Sequence, residues 1–497
     1  MAIRPKSDVS SKARWSLIVL LCGFTLYFIA YVIFRHAAFD TAGYDLGNVS
    51  QSMWNTLRGK PLAMTTMQAV SSRWALHFEP ILLLFVPLYA VLPSPVMLTV
   101  LQVLVVAAGA LPIFWLGRRL FGSDWAGVLY AGVYLMYPAL QAAVVFDFHG
   151  VTLAATFLAF ALWALLQRRY VAFGVASLLA MSCKEDMPLL VLMMGLYILL
   201  IQRQWQVGLV TVAISVIWFV MANFVIIPAH SPIGDNIHIV RYGDLGDSMD
   251  EVIVSVFTRP LRVLVVAFES TRLPYWLLLT MPVAFTSLLD PAIFLMALPT
   301  LAINTLSSNS ATYTPDRFHY TAPIVPFIVV SSIGGVARLS RWLARDEKKL
   351  RSTWRNRLLI VVVGASLGYH LMAGYTPLRR GFQWPTPDAH DVMAGQMLEK
   401  IPTQASVSAA NSLVPRLSNR SHIFIFPKTE DAEYVAIDTR SSYFPFGDRE
   451  ELCAATRQLM TGSDYGTVFF SDGLILLRRG VSDQVAESPT ALCDGVP

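Results

Sequence analysis

Apolar runs long enough to cross a bilayer alternate with short polar breaks along most of the chain, and the breaks are of two kinds. One kind carries arginine: Gly117-Arg118-Arg119, Gln167-Arg168-Arg169, Gln202-Arg203 and the run from Arg341 to Arg357. The other gathers acids and histidines: Asp40, Asp45, His77, Glu79, Asp147, His149, Glu185 and Asp186. About 20 apolar residues make one spanning helix. On that measure the first span is Trp15 to Phe34. Others follow at about 96–116, 124–145, 151–166, 171–183, 187–201, 207–228, 275–289, 291–306, 321–339 and 358–374. The pattern thus predicts about eleven crossings. The run from Val171 to Ile201 would be about 46 Å long as one helix, so it is divided at Cys183-Lys184-Glu185-Asp186-Met187-Pro188.

One apolar run is different. Ile81 to Leu92 follows His77, Glu79 and Pro80, contains Pro87 and is closed by Pro93 and Pro95. Its rise of about 18 Å falls short of a hydrocarbon core of about 30 Å. If this run is re-entrant or interfacial, every arginine cluster falls on one side, which the positive-inside rule makes cytoplasmic. If it crosses, each later assignment inverts. The non-crossing version puts the N-terminus (Arg4, Lys6, Lys12, Arg14) in the cytoplasm. It puts 35–75, 146–150, 184–187, 229–274, 307–320 and the C-terminal region on the extracytoplasmic face of the cell (inner) membrane. The first span is also too long for the apolar core of a cleaved signal peptide.

After residue 375 the pattern changes to that of a small extracytoplasmic α/β domain. Strands are expected at Ser406–Ala409, His422–Phe426 and Tyr434–Asp438, with a hairpin of Gly466–Phe470 and Leu474–Arg478 turned by Ser471-Asp472-Gly473. Asn411 to Leu417 and Asp448 to Met460 read as helices. The expected fold is therefore an all-α polytopic membrane bundle over 1–374, with interfacial helices in its first outer loop at 35–75, and an α/β domain at 375–497.

Composition narrows the class. The 497 residues are 55% hydrophobic and 14% charged, whereas soluble domains carry about 25% charged residues. The net charge of +5 resides largely in short juxtamembrane clusters that read as cytoplasmic anchors, so nucleic acid is not an expected partner. Cys22 and Cys183 lie in or beside spans, while Cys453 and Cys493 could pair in an oxidising compartment.

Ionisable side chains inside a membrane bundle are costly and mark function. In the first outer loop Leu46, Val49, Met53, Trp54 and Leu57 recur at helical spacing, predicting an amphipathic helix on the membrane surface with Asp45 near its N-terminus. The plainer reading makes Asp40 and Asp45 caps of that helix. His77-Phe78-Glu79-Pro80 and Phe146-Asp147-Phe148-His149 each place two metal-capable groups close together. With Glu185 and Asp186 they could hold a divalent cation (Mg, Mn, Ca or Zn), or simply satisfy helix ends. Lys184-Glu185-Asp186 must face water or a cavity, since three charges at a bilayer centre would cost roughly 8–10 kcal/mol. Asp316-Arg317-Phe318-His319-Tyr320 offers Arg317 as a phosphate ligand; the plainer reading is an interfacial anchor. One orientation puts all five clusters on one face, the outline of an enzyme that acts on lipid-linked phosphate.

Asp45, His77-Phe78-Glu79-Pro80 and the segment Leu111 to Gly122 together resemble the membrane glycosyltransferases of the GT-C fold. Tyr44-Asp45-Leu46-Gly47 with Gln51 and Trp54, Phe146 to His149, Cys183 to Asp186, Phe318 to Tyr320 and Val407 to Pro415 resemble more closely a family of uncharacterised prokaryotic membrane proteins, domain of unknown function 2079. The resemblance implies a polyprenyl-phosphate sugar donor, a membrane lipid setting and a glycan, lipid or protein acceptor. It also implies an acidic general base in the first outer loop: Asp45, or alternatively Asp40. Many GT-C members carry an Asp-Glu pair there, whereas Asp45 is followed by Leu46. Arg317, Lys184, His319, Tyr320, Gln51 and Trp54 are then the expected substrate and phosphate contacts. Two other classes remain open, an ion- or solute-coupled transporter and a non-enzymatic membrane sensor or scaffold.

Overall fold

The structure, a computed structural model, describes residues 8–345, 347–462 and 464–483. The first helix, Ser11–Ala37, starts where Ser10 caps it by accepting from the Ala13 amide, and runs for 27 residues, about 40 Å. Among the described residues, five helices are long and apolar enough to cross a membrane: Ser11–Ala37, Pro95–Phe121, Trp205–His230, His319–Leu343 and Lys349–Ala373. A sixth span arises if Asp124–Leu135 and Pro138–Val145, bent by 51° at their junction, count as one. The bend is where Pro138 has no amide to continue the helical ladder. The remaining expected spans are shorter apolar helices: Gly150–Leu166, Tyr170–Met181, Met187–Leu200, Leu273–Val283 and Pro291–Leu306. The break at 183–187 therefore stands as two helices. Ile81–Val91, with Pro87 inside it, is an 11-residue helix, too short for a bilayer core at 1.5 Å per residue.

The basic breaks gather at one end of the bundle. Arg118 pairs with Asp124 at 2.6 Å, Asp124 also accepts from the Ser10 amide, and Arg355 donates to the carbonyl of Phe121. The acidic breaks meet at the other end, beneath the C-terminal region.

That region opens with the helix Ala389–Leu398 and builds one five-stranded sheet. Its spatial order is Ile423–Ile425, Val407–Ala409, Tyr434–Asp438, Leu474–Arg479, Tyr465–Ser471; the first three strands are parallel and the last two join antiparallel. The expected strands and the helix Arg449–Thr461 are all present. Cys453 is disulfide-bonded; Cys493, the partner expected from the sequence, lies outside the described residues.

The C-terminal region sits directly on the bundle. Arg416 donates to the carbonyls of His36 and Ala37 at the C-terminal end of the first helix. A Cβ on Gly43 or Gly47 would come within 2.8 Å of Val414, so glycine at both positions is what lets the two surfaces touch. The segment expected to lie amphipathically on the membrane does not do so. A π-helical turn, Gly43–Gly47, leads into the helix Asn48–Thr56, whose polar residues Asn48, Ser50, Gln51 and Ser52 are buried with its apolar ones. The polar face is covered by the hairpin Ala63–Met67/Val70–Ser72 and by the sheet: Thr65 bonds the carbonyl and amide of Ile423, and Lys428 donates to the carbonyls of Thr65 and Met67.

Candidate functional site

A cavity of about 1030 Å³ opens at the acidic end of the bundle. One part of its wall is apolar: Leu189, Met193, Phe219, Val252, Val256 and Ile303. The other part is charged, and carries Asp45, Arg73, His77, Glu79, His149, Lys184, Glu185, Asp186, His238, Arg241 and His319.

Asp45 reaches this wall because the turn Gly43–Gly47 carries it there directly after the first helix ends. Its Oδ1 lies 3.2 Å from Nε2 of His149. The other ring nitrogen of His149, Nδ1, is 2.9 Å from the carbonyl of Asp147. A carbonyl can only accept, so Nδ1 carries a hydrogen, and the contact at Nε2 requires one further proton between imidazole and carboxyl. Burial disfavours charge on Asp45, but the His149 hydrogen bond and the charges of His149, Arg73 and Arg35 outweigh it and hold the carboxyl below its ordinary range. His149 is fixed from three further directions. Its amide donates to Gln102, its ring stacks on that of His319 with centroids 3.6 Å apart, and Phe146 lies 5.5 Å away.

Asp147 stands behind this pair. It accepts from Arg35 at 2.7 Å and from the Ala42 amide at 2.7 Å, which ties the 147–149 loop to the turn bearing Asp45. Burial pushes its carboxyl upward and the negative charge of Asp45 adds to the push, against the opposing pull of Arg35. A second group lines the same cavity. Glu185 accepts from the Phe78 amide and meets His77 Nδ1 at 3.0 Å, while the His77 ring stacks on His238 at 4.8 Å. Lys184 lies 3.4 Å from Asp186 and 4.0 Å from Glu185. Burial opposes its charge, yet those two carboxylates more than offset the burial and keep it an ammonium. Arg73 pairs with Glu79 at 2.8 Å, both buried. Gly150 permits this closeness, since a Cβ there would be 2.6 Å from the Cys183 carbonyl and 3.0 Å from Glu79.

Asp45, His77, Glu79, His149, Lys184, Glu185, Asp186, His319 and Tyr320 thus converge on one cavity. Other expected site residues lie elsewhere. Asp40 is exposed and pairs with Arg35, so it does not reach the wall. Gln51 is buried, and its amide is taken up by Thr65 and the carbonyls of Arg420 and Ser421. Trp54 packs against the bundle with the Arg58 guanidinium 3.4 Å over its ring. Arg317 is exposed and lines none of the cavity. Asp147 acts from behind the wall.

Among the described residues no three His, Cys, Asp or Glu side chains come together as ligands. Glu79 is taken by Arg73, Asp147 by Arg35, Glu185 by His77 and the Phe78 amide. Arg73, His238, Arg241 and Tyr242 line the cavity but were not singled out from sequence. Residue type alone does not distinguish them, because the same breaks also carry Arg58, Lys60, Arg259, Arg262 and Arg272.

No curated protein matches the chain. Among solved structures, ArnT from Cupriavidus metallidurans, solved bound to undecaprenyl phosphate, is similar at a TM-score of 0.52 and 13% identity, over 94% of this chain and 98% of that one. ArnT is a GT-C glycosyltransferase, and the likeness extends that fold to the present chain. Residues 35–476 match a described family, and on that match the chain belongs to the predicted membrane proteins of DUF2079.

Proposed function

We propose that the protein is an integral-membrane glycosyltransferase that moves a sugar from a polyprenyl-phosphate donor to an acceptor hydroxyl on the extracytoplasmic face. The observation that carries this reading is a half-buried carboxylate, Asp45, in a cavity lined by both charged and apolar side chains. Such a cavity suits a ligand with a long hydrocarbon chain and an anionic head. The chain would lie along Leu189, Met193, Val252 and Val256, and the phosphate would face Lys184 and Arg241. The fold shared with ArnT, which binds undecaprenyl phosphate in its crystal, adds support.

In the reaction the acceptor oxygen attacks the anomeric carbon and forms the new glycosidic bond. The bond from that carbon to the phosphate oxygen breaks, and its electron pair leaves with the polyprenyl phosphate. Displacement from the face opposite the phosphate inverts the anomeric centre. The acceptor's proton passes to Asp45, beside which His149 supplies a second proton-bearing group. Lys184 and Arg241 balance the charge that builds on the leaving phosphate.

The test is Asp45→Asn, assayed for transfer in membranes from a polyprenyl-phosphate sugar. General-base catalysis contributes about 10²- to 10⁴-fold, so transfer is expected to fall by at least about 100-fold with the melting midpoint unchanged. Full transfer by the folded variant would remove Asp45 from this role.

A further inference from the structure

The cavity has a third source of side chains. Asn411, Ser442 and Phe444 reach it from the C-terminal region. Ser442 and Phe444 belong to a strap that leaves the strand Tyr434–Asp438 and ends at the helix Arg449–Thr461. The strap is fixed at its base. Asp438 Oδ1 accepts from the amides of Arg440 at 2.9 Å and Ser441 at 3.1 Å, and Arg449 donates to the Thr439 carbonyl. The hydroxyls of Ser441 and Ser412 meet at 2.9 Å. Its tip is not packed into a core: Tyr443 is 43% and Phe444 49% exposed. Phe444 is thus a half-exposed ring at a polar entrance, on a loop anchored at its base.

The Phe444 ring meets the Tyr44 ring edge-on, with centroids 4.7 Å apart. Tyr44 immediately precedes Asp45, and its amide donates to Asn411 Oδ1 at 3.1 Å, while the Gly43 amide donates to the Asn411 carbonyl at 2.8 Å. The strap, the aromatic pair and the carboxylate are thus held by one short set of hydrogen bonds.

We infer that Tyr44 and Phe444, flanked by Asn411 and Ser442, form the acceptor subsite, and that the acceptor they seat carries a saccharide ring. The assignment rests on the proposed sugar transfer. Aromatic faces offer a flat apolar surface with polar groups at its rim, which matches a sugar ring with apolar C–H faces and peripheral hydroxyls. A ring seated there places a hydroxyl next to the residue that follows Tyr44, which is Asp45. The acceptor, not the donor, is the substrate whose hydroxyl that carboxylate must reach.

The test is saturation-transfer NMR on the full chain in lipid nanodiscs, with methyl glucoside, methyl galactoside and methyl mannoside as probes and glycerol as the ring-less control. Saturation of ring C–H protons is expected for at least one glycoside and not for glycerol. It should fall at least about fivefold in Phe444→Ala and Tyr44→Ala and persist in Phe444→Trp, which keeps an aromatic face. Melting curves of each variant separate loss of binding from loss of fold. Equal saturation of glycerol, no saturation of any glycoside, or signal unchanged in Phe444→Ala would overturn the assignment. So would displacement of the probe by undecaprenyl phosphate glucose, which would give the seat to the donor's sugar. Transfer by the wild type, assayed separately, decides the reading on which the subsite rests.

Discussion

Two imidazole–carboxylate clusters in this molecule look alike on paper and differ in what their protons can do. At the cavity, His149 gives one nitrogen to the Asp147 carbonyl and the other to Asp45. In the C-terminal region, His390 lies between two carboxylates, with Nδ1 2.9 Å from Asp472 and Nε2 3.2 Å from Asp438. Carboxylates only accept, so both nitrogens of His390 must carry hydrogen, and the ring is a locked imidazolium. Hydrogen bonding to Asp438 raises its pKa, against the pull of burial, and Asp472 adds to the rise, taking it to about 9. His149 has a backbone carbonyl where His390 has a second anion. One proton between Asp45 and His149 can therefore move, whereas the two on His390 are held. Counting acceptors per proton separates a group suited to chemistry from one suited to fastening.

The largest effect that could break this contrast lies at His149. His149→Ala removes the second proton-bearing group beside Asp45 and leaves the half-buried carboxylate with less compensation. Transfer is expected to fall about 100-fold, measured in membranes on the same polyprenyl-phosphate donor as for Asp45→Asn. His390→Gln should leave the turnover number within about threefold. Were the two variants to lose activity equally, the distinction between movable and fixed protons would not hold.

The next effect concerns stability. His390→Gln leaves Asp438, which is 2% exposed, short of a charged partner, and about 1–3 kcal/mol is the usual cost of such a loss. A lower urea midpoint for the C-terminal region, followed by its own fluorescence, checks this. The pH dependence has a definite sign. The folded pKa of His390 lies above the unfolded value near 6.5, so its contribution is fully present below about pH 6.5 and is lost as pH rises through about 9. Melting midpoints between pH 6 and pH 10 should fall for the wild type more than for His390→Gln. The groups around the ring are Asp438, Asp472 and Asp391, with Arg440 paired to Asp472. Parallel curves would show that another group governs the alkaline loss.

Much of this architecture could be read from the chain. Apolar run length located the helices, and the alternation of arginine breaks with acidic ones put Asp45, His149, Glu185 and His319 at one end, although more than 250 positions separate the first from the last. What residue type conveys is capacity, not which partner arrives first. Gln51 has the donors and acceptors to hold a ligand, but Thr65 and the backbone at 420–421 satisfy them. Arg317 has the right fork but is exposed and lines none of the cavity. The Asn48–Thr56 helix has an apolar stripe that reads as a membrane-surface helix until its polar face is covered by a sheet more than 350 residues further along. Conversely, Phe444 is one aromatic in a Ser- and Pro-containing loop, and only its distance to Tyr44 gives it meaning.

The smallest effect sharpens the comparison from a third side. Arg478 and Glu433 form an ion pair at 3.3 Å on the same sheet as Asp438, but their side chains are 46% and 42% exposed. Water already solvates both partners, and ordering two long side chains offsets the modest attraction between them, so such pairs contribute about 0–1 kcal/mol. The Arg478 guanidinium also lies 5.4 Å over the Tyr434 ring, a contact that survives removal of the acid. Glu433→Gln should therefore shift the urea midpoint of the C-terminal region far less than His390→Gln does. A loss as large as that of His390→Gln would mean that charge count, and not the burial of Asp438, sets the strength of the His390 fastening.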